Sequence, residues 1–364
     1  MNINRSIKAI LSGEHAFYKQ KNYEKVTSRE MACSFPVNEI SYTYNTENKV
    51  WRIVKAIFSI ILFPIGFYQL SHALAGKLIV PASSPFLTGI ASDDLDKARK
   101  SLSLNEEWKF KRISVQVDGY TIDATIMGKA NTLDNGRWIL ASNGNGEFYE
   151  GKLRNVSFKK IISELNGNAL VFNYPGVGAS SAMPNRNAMA KAYRAMLNFL
   201  EDQNHGIGAK EIIGIGHSIG GGVQGDALKL HQLKKGIKYV FVKNKTFSNL
   251  SDTVSHLMNR PFGFLIKIFG WNMSSIESSK SLKAPEIIIQ TANVDSYTDI
   301  AKNPELIVHD EVIPAEASLA KKLLSDSNYE GKNKYFMGVR EGHNTELNNP
   351  LPLVEKINEM MKAI

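Results

Sequence analysis

Cysteine is nearly absent from this chain of 364 residues: Cys33 is the only one. A lone thiol excludes an internal disulfide, so the fold does not depend on an oxidising compartment. Its neighbours provide no basic side chain or helix start to activate it. Cys33 therefore reads as an inert thiol rather than a nucleophile or lipidation site. Metal-binding signatures are missing too: there is no HExxH, no CxxC and no helix with paired histidines. No Walker-type or GxGxxG loop occurs, so neither a metal nor a cofactor is expected. The opening MNINRSIKAILSGEHAFY lacks a long apolar stretch before a small-residue cleavage site, so a cleaved signal peptide is not expected. Acidic residues are in short supply, with 35 Asp and Glu against 44 Lys and Arg, for a formal charge of +9. That surplus favours anionic partners such as phospholipid surfaces or nucleic acid. The lack of helix-turn-helix, zinc-finger and RRM signatures counts against nucleic acid.

Charge disappears altogether between Ala56 and Gly76, inside the most apolar stretch, 51–81. Its length reaches the threshold for a transmembrane candidate. Pro64 and Gly66 interrupt it, however, and Ser59, Gln69, Ser71 and His72 dilute it. Basic residues flank both ends, so charge gives no orientation. Three readings stand open: a buried helix pair covering the main domain, a monotopic or re-entrant membrane anchor, and a true span. Residues 1–49 have no clear period and no readable function. Residues 50–107 form an apolar helical extension and a polar connector, with a short helix begun at Ser92 or Asp93.

From 108 onward the pattern becomes that of strands and helices. KFKRISVQV and YTIDATIM alternate around an Asp118-Gly119 turn, which predicts a hairpin. Short apolar strands follow: WILA at 138–141, ALVFNY at 169–174, EIIGI at 211–215, KYVFVK at 238–243, EIIIQ at 286–290 and KYFMGV at 334–339. Helical stretches near 151–165, 186–202 and 219–234 separate them. Such alternation predicts an α/β domain over 108–364, a mostly parallel sheet with helices on both faces.

Chemistry concentrates after EIIGI. Gly216-His217-Ser218-Ile219-Gly220 is G-x-S-x-G between a strand and a helix, the setting of a nucleophile elbow. The sharp turn pushes Ser218 out above the carboxyl end of the sheet, and glycine at 216 and 220 avoids collision. Gly221, Gly222 and Gly225 let the next helix lie close to the sheet. A nucleophilic serine needs a base and an orienting acid, here in the order Ser, acid, His. His343, on a glycine-bearing loop after the last apolar strand, is the candidate base. His15 and His72 precede the sheet, and His205, His231 and His256 lie in helical or loop contexts. His309 precedes the candidate acid, and His217 faces the wrong way. Asp310, in HDEVIPAEA, is the preferred acid, with Asp295 as the alternative nearest the strand end and Glu311 third. The oxyanion donors are expected to be the backbone N–H groups of Ile219 and of Asn145, in the SNGNGE loop after WILA.

These residues resemble the α/β-hydrolase superfamily over roughly 108–362. Its marks are NGNGE, NYPGVGASS, GHSIGG, HDEVIP and EGHN. Within it, SNGNGEFYE, FNYPGVGASS, GHSIGGG and DEVIPAEASLA together resemble the chlamydial CHLPS protein family and the SidB-type lipase-like effectors of Legionella. The likeness extends upstream into LFPIGFYQLSHALAGKLIVPASS. Asn143 departs from the commoner pattern, which has histidine there. The resemblance implies a bacterial protein delivered into the host cell cytoplasm, a reducing compartment, in association with membranes.

An insertion at about 247–284 lies where this fold places caps and lids, and its centre, PFGFLIKIFGW, is strongly apolar. An apolar lid suits an acyl chain and also suits docking on a membrane, which residues 51–81 would share. The expected function is a serine esterase or lipase acting on lipid or acyl esters. The alternatives are an acyl-protein thioesterase using the same residues, or a catalytically idle membrane-docking module.

Overall fold

The computed structural model describes residues 41–364 except 47, 62, 101–107, 134, 328, 330 and 332. Cys33 and most of the 1–49 segment lie outside the described residues.

Ten strands form one sheet: β1 (Ser41–Tyr44), β2 (Trp108–Val117), β3 (Tyr120–Lys129), β4 (Arg137–Ser142), β5 (Asn168–Phe172), β6 (Glu211–His217), β7 (Lys238–Asn244), β8 (Glu286–Thr291), β9 (Thr298–Asp299) and β10 (Lys334–Val339). Their order is β1-β2-β3-β5-β4-β6-β7-β8-β10-β9. From β5 through β10 every neighbour in the central run is parallel, while β2, β3 and β9 supply the antiparallel pairings. The hairpin turn forms as its sequence requires. Asp118 and Gly119 take φ of 46° and 94°, the left-handed pair that lets two residues join right-twisted strands. β1 went unread in the sequence; this short edge strand pairs parallel with β2.

Both faces of the sheet are covered, which is why its central strands are continuous apolar runs. One face packs on the helices Arg186–Glu201 and Ile219–Leu228, with Phe172, Tyr193, Phe199 and Phe241 in the core between. The other packs on Tyr149–Arg154, Val156–Glu164 and Leu351–Lys362, around Ile139, Val171, Ile213, Val242 and Ile357. The helix expected near 151–165 is two. Asn155 separates them, its side chain accepting from the Phe158 amide at 2.6 Å as an N-cap. The helix after β6 ends at Leu228 rather than near 234.

The apolar stretch 51–81 folds as two helices, Lys49–Ile61 and Phe63–Ile79. They are not a buried pair. Trp51, Ile53, Ile57 and Phe58 of the first are exposed, as are Leu70, Leu74 and Leu78 of the second. No helix of the described residues is long and apolar enough to cross a membrane. The second helix is anchored along its inner side. Gly76 sits so close to Pro184 and Trp271 that a Cβ would lie 2.6 Å from the Pro184 carbonyl oxygen and 2.7 Å from the indole. His72 stacks on Trp271 with ring centroids 4.9 Å apart.

Candidate active site

The residues singled out in the sequence converge at the carboxyl end of the sheet. β6 ends at His217 and the helix Ile219–Leu228 starts at once, leaving Ser218 alone to make the turn. Ser218 has φ 53° and ψ −121°, a conformation that costs a non-glycine residue about 1–3 kcal/mol and persists only where its surroundings enforce it. Here they do. A Cβ at Gly216 would lie 2.8 Å from the Gly220 backbone, and one at Gly220 would lie 2.5 Å from the Ser142 carbonyl oxygen. Thr246 Oγ1 donates to the Ser218 carbonyl at 2.7 Å, and the Ser218 amide donates to Asn244 at 3.0 Å. The later glycines serve a different neighbour from the expected one. Gly221 and Gly222 make room for Thr246 and Phe247, and Gly225 for Ser278, so the helix closes on the 246–247 segment and the helix Ser275–Ser281.

Asp310 and His343 meet. Asp310 Oδ2 lies 2.9 Å from His343 Nδ1, with Asp310 fully buried and His343 4% exposed. The pair is tied twice, because the His343 amide also donates to the Asp310 carbonyl at 2.8 Å. Asp310 Oδ1 accepts from the amides of Val312 and Ile313 at 3.1 and 2.6 Å, the turn that Val312-Ile313-Pro314 makes. Gln290 donates weakly to Oδ2 at 3.4 Å. Burial opposes the charge on Asp310, but the His343 contact and the two amides prevail and hold its carboxyl below the usual range. Asp295 is exposed in the loop after β8 and makes no hydrogen bond to His343 among the described residues. Glu311 follows Asp310 with φ 80°.

Ser218 and Ile219 line an apolar cleft of about 530 Å³, together with Asn145, Ile79, Leu250, Phe262 and Val312. Among the described residues the amides of Ile219 and Asn145 have no hydrogen-bond acceptor, so both remain available at the cleft wall. The Asn145 loop is fixed from behind. Tyr174, of the NYPGVG turn, donates to the Asn143 carbonyl at 2.7 Å, and Asn143 donates to Phe172 at 3.3 Å. Asn143 thus faces the backbone rather than the cleft chemistry. The Ser218 hydroxyl makes no hydrogen bond to His343 among the described residues. Such contacts are commonly loose without substrate and tighten when it binds.

Sequence reasoning missed the supports. Lys245, fully buried, donates to the carbonyls of Gly342 at 2.6 Å and Thr345 at 2.9 Å, gripping the loop on both sides of His343. Burial pulls its ammonium down to about 8 despite Glu341, Asp310 and Glu311 nearby. His217 turns away from the serine. Its Nδ1 lies 3.1 Å from Glu147 Oε1 and its Nε2 3.0 Å from the His343 carbonyl oxygen. Burial lowers the His217 pKa against the pull of Glu147. Burial also works against the Glu147 charge, yet Lys152, His217 and the Gly144 amide keep that carboxylate well below its ordinary range. A usable signal existed for the lysine: KYVFVKNK sets Lys243 in, and Lys245 just after, a strand run too apolar to leave them unpartnered.

The sheet order, the elbow and the buried acid–histidine pair define the α/β-hydrolase fold. Solved structures agree. The chain is 14% identical to an esterase of Pyrococcus furiosus over 71% of this chain and 92% of that one, with a TM-score of 0.51. It is 15% identical to an alpha-beta hydrolase from Vibrio vulnificus over 69% and 81%, with a TM-score of 0.52. The chain belongs to the family described as Chlamydia CHLPS protein (DUF818), which matches residues 34–362. A search of curated proteins finds no match.

Proposed function

We propose that the protein is a serine hydrolase that cleaves carboxyl esters of lipid or acylated substrates. Ser218 Oγ attacks the ester carbonyl while His343 Nε2 takes its proton. Asp310 holds Nδ1–H and stabilises the imidazolium as it forms. The Ile219 and Asn145 amides receive the oxyanion, aided by the positive end of the helix that starts at Ile219. Collapse expels the alcohol, which takes the proton from His343 and leaves an acyl-serine. Water, deprotonated by His343, then releases the carboxylic acid and restores the serine.

The observation that carries this reading is the buried Asp310–His343 contact of 2.9 Å at the same end of the sheet as the strained Ser218. The apolar cleft beside Ser218 favours an acyl chain over a polar group. The esterase named among the structural neighbours is in keeping with it. The test is hydrolysis of p-nitrophenyl esters from acetyl to palmitoyl by the intact protein and by Ser218→Ala. The expected result is a rate that falls by at least ~10³-fold in the variant, with unchanged thermal unfolding. Equal rates in the two proteins would refute it.

A further inference from the structure

The cleft beside Ser218 opens through a rim that is itself apolar and exposed. Leu78, Leu257, Met258, Phe262 and Leu265 both line the cleft and face solvent, Leu78 at 74%. The same two helices expose further apolar side chains, Leu74 on the helix Phe63–Ile79 and Phe264 and Ile268 on the helix Arg260–Ile268. This last helix is held tightly from behind. Gly263 abuts Ser251 and Ser255 of the helix Leu250–Leu257, leaving no room for a Cβ, so the opposite side is the one displayed. Single exposed apolar side chains are ordinary; a set gathered around one opening marks a binding surface.

Charge identifies what binds. No Asp or Glu occurs between Glu47 and Asp93, or between Asp252 and Glu277, the two stretches that build the rim. Lys77, Arg260 and Lys267 are exposed on those same helices, with no acidic partner among the described residues. Apolar side chains set among cations and free of acids match the anionic headgroup region of a bilayer. We propose that this rim seats on an anionic lipid surface, with Leu78, Met258 and Phe264 entering the interface and Lys77, Arg260 and Lys267 meeting headgroup phosphates. The cleft mouth then faces the membrane, and an acyl chain passes from bilayer to Ser218 without crossing water. The last step rests on the ester-hydrolase reading; the docking does not.

The experiment is flotation of full-length Ser218→Ala protein with vesicles of phosphatidylcholine alone or mixed with phosphatidylglycerol, so that no lipid is consumed. Expected is binding to the anionic vesicles that weakens with salt. Phe264→Glu should cut it by at least about tenfold. Lys267→Gln should cut it about fivefold, the worth of one cation at the interface. Thermal unfolding of both variants checks that they fold. No flotation, or flotation that Phe264→Glu leaves intact, overturns the proposal. So does a dimer in light scattering that Phe264→Glu dissolves, which would assign the rim to a second copy of the chain. Flotation without ester hydrolysis by the wild type would sink the hydrolase reading alone, and hydrolysis without flotation the docking alone.

Discussion

The two walls around Ser218 are built on opposite principles. Behind it, nearly every group is polar, buried and tied. Asp310 is held by His343 and two amides, Lys245 by two carbonyls, and His217 lies between Glu147 and the His343 backbone. In front lie Ile79, Leu250, Phe262 and Leu265, which fill space without directional bonds. Hydrogen bonds fix atoms to within fractions of an ångström, which proton transfer demands. An apolar surface accepts a family of chain lengths at a modest energy difference for each methylene. Under the proposed ester-hydrolase reading, the back wall sets the reaction and the front wall the substrate.

Breaking the back wall should cost most. Asp310→Asn keeps the shape but removes the charge that, in the proposed mechanism, orients and stabilises the histidine, and kcat is expected to fall about 10⁴-fold. The same variant tests a pH effect. The Asp310 carboxyl is depressed in the fold, so its contribution to stability is full above the ordinary carboxylate value and is lost as pH falls through the folded value. Unfolding midpoints of wild type and Asp310→Asn should therefore converge in acid.

Lys245→Met comes next. It leaves the Gly342 and Thr345 carbonyls without their donor, and denaturant unfolding should show a loss of about 1–3 kcal/mol. An unchanged midpoint would remove Lys245 from the support of the His343 loop. The front wall should give the smallest effect. Phe262→Ala widens the cleft, and the palmitoyl-to-acetyl ratio of kcat/KM is expected to fall about tenfold. A fall in kcat on every ester alike would mean that the two walls are not separable.

The contrast also explains what the sequence could reveal. The central strands were legible because, buried on both faces, they are nearly continuous apolar runs; the short edge strands β1 and β9 carry no such run and were not. The elbow was legible because so sharp a turn needs glycine at 216 and 220, close to the serine in the chain. The acid stayed open among Asp310, Asp295 and Glu311 because the meeting with His343 depends on how 292–313 folds back, fixed in part by the bridge between Ala292 and Ile307. Contacts between distant segments were invisible for the same reason. Lys245 reaches carbonyls about a hundred residues away, and His217 reaches Glu147 seventy residues away. The stretch 51–81 could not be resolved by hydropathy alone, since a helix with an exposed apolar side reads like a buried one.

The central claim is that Ser218 is the nucleophile. It is tested most directly by incubating the intact protein with a fluorophosphonate and locating the adduct by peptide mass spectrometry, with Ser218→Ala and His343→Ala alongside. The account predicts one adduct, on Ser218, absent from the first variant and much slower to form in the second. An unlabelled wild type, or an adduct elsewhere that persists in Ser218→Ala, would contradict it.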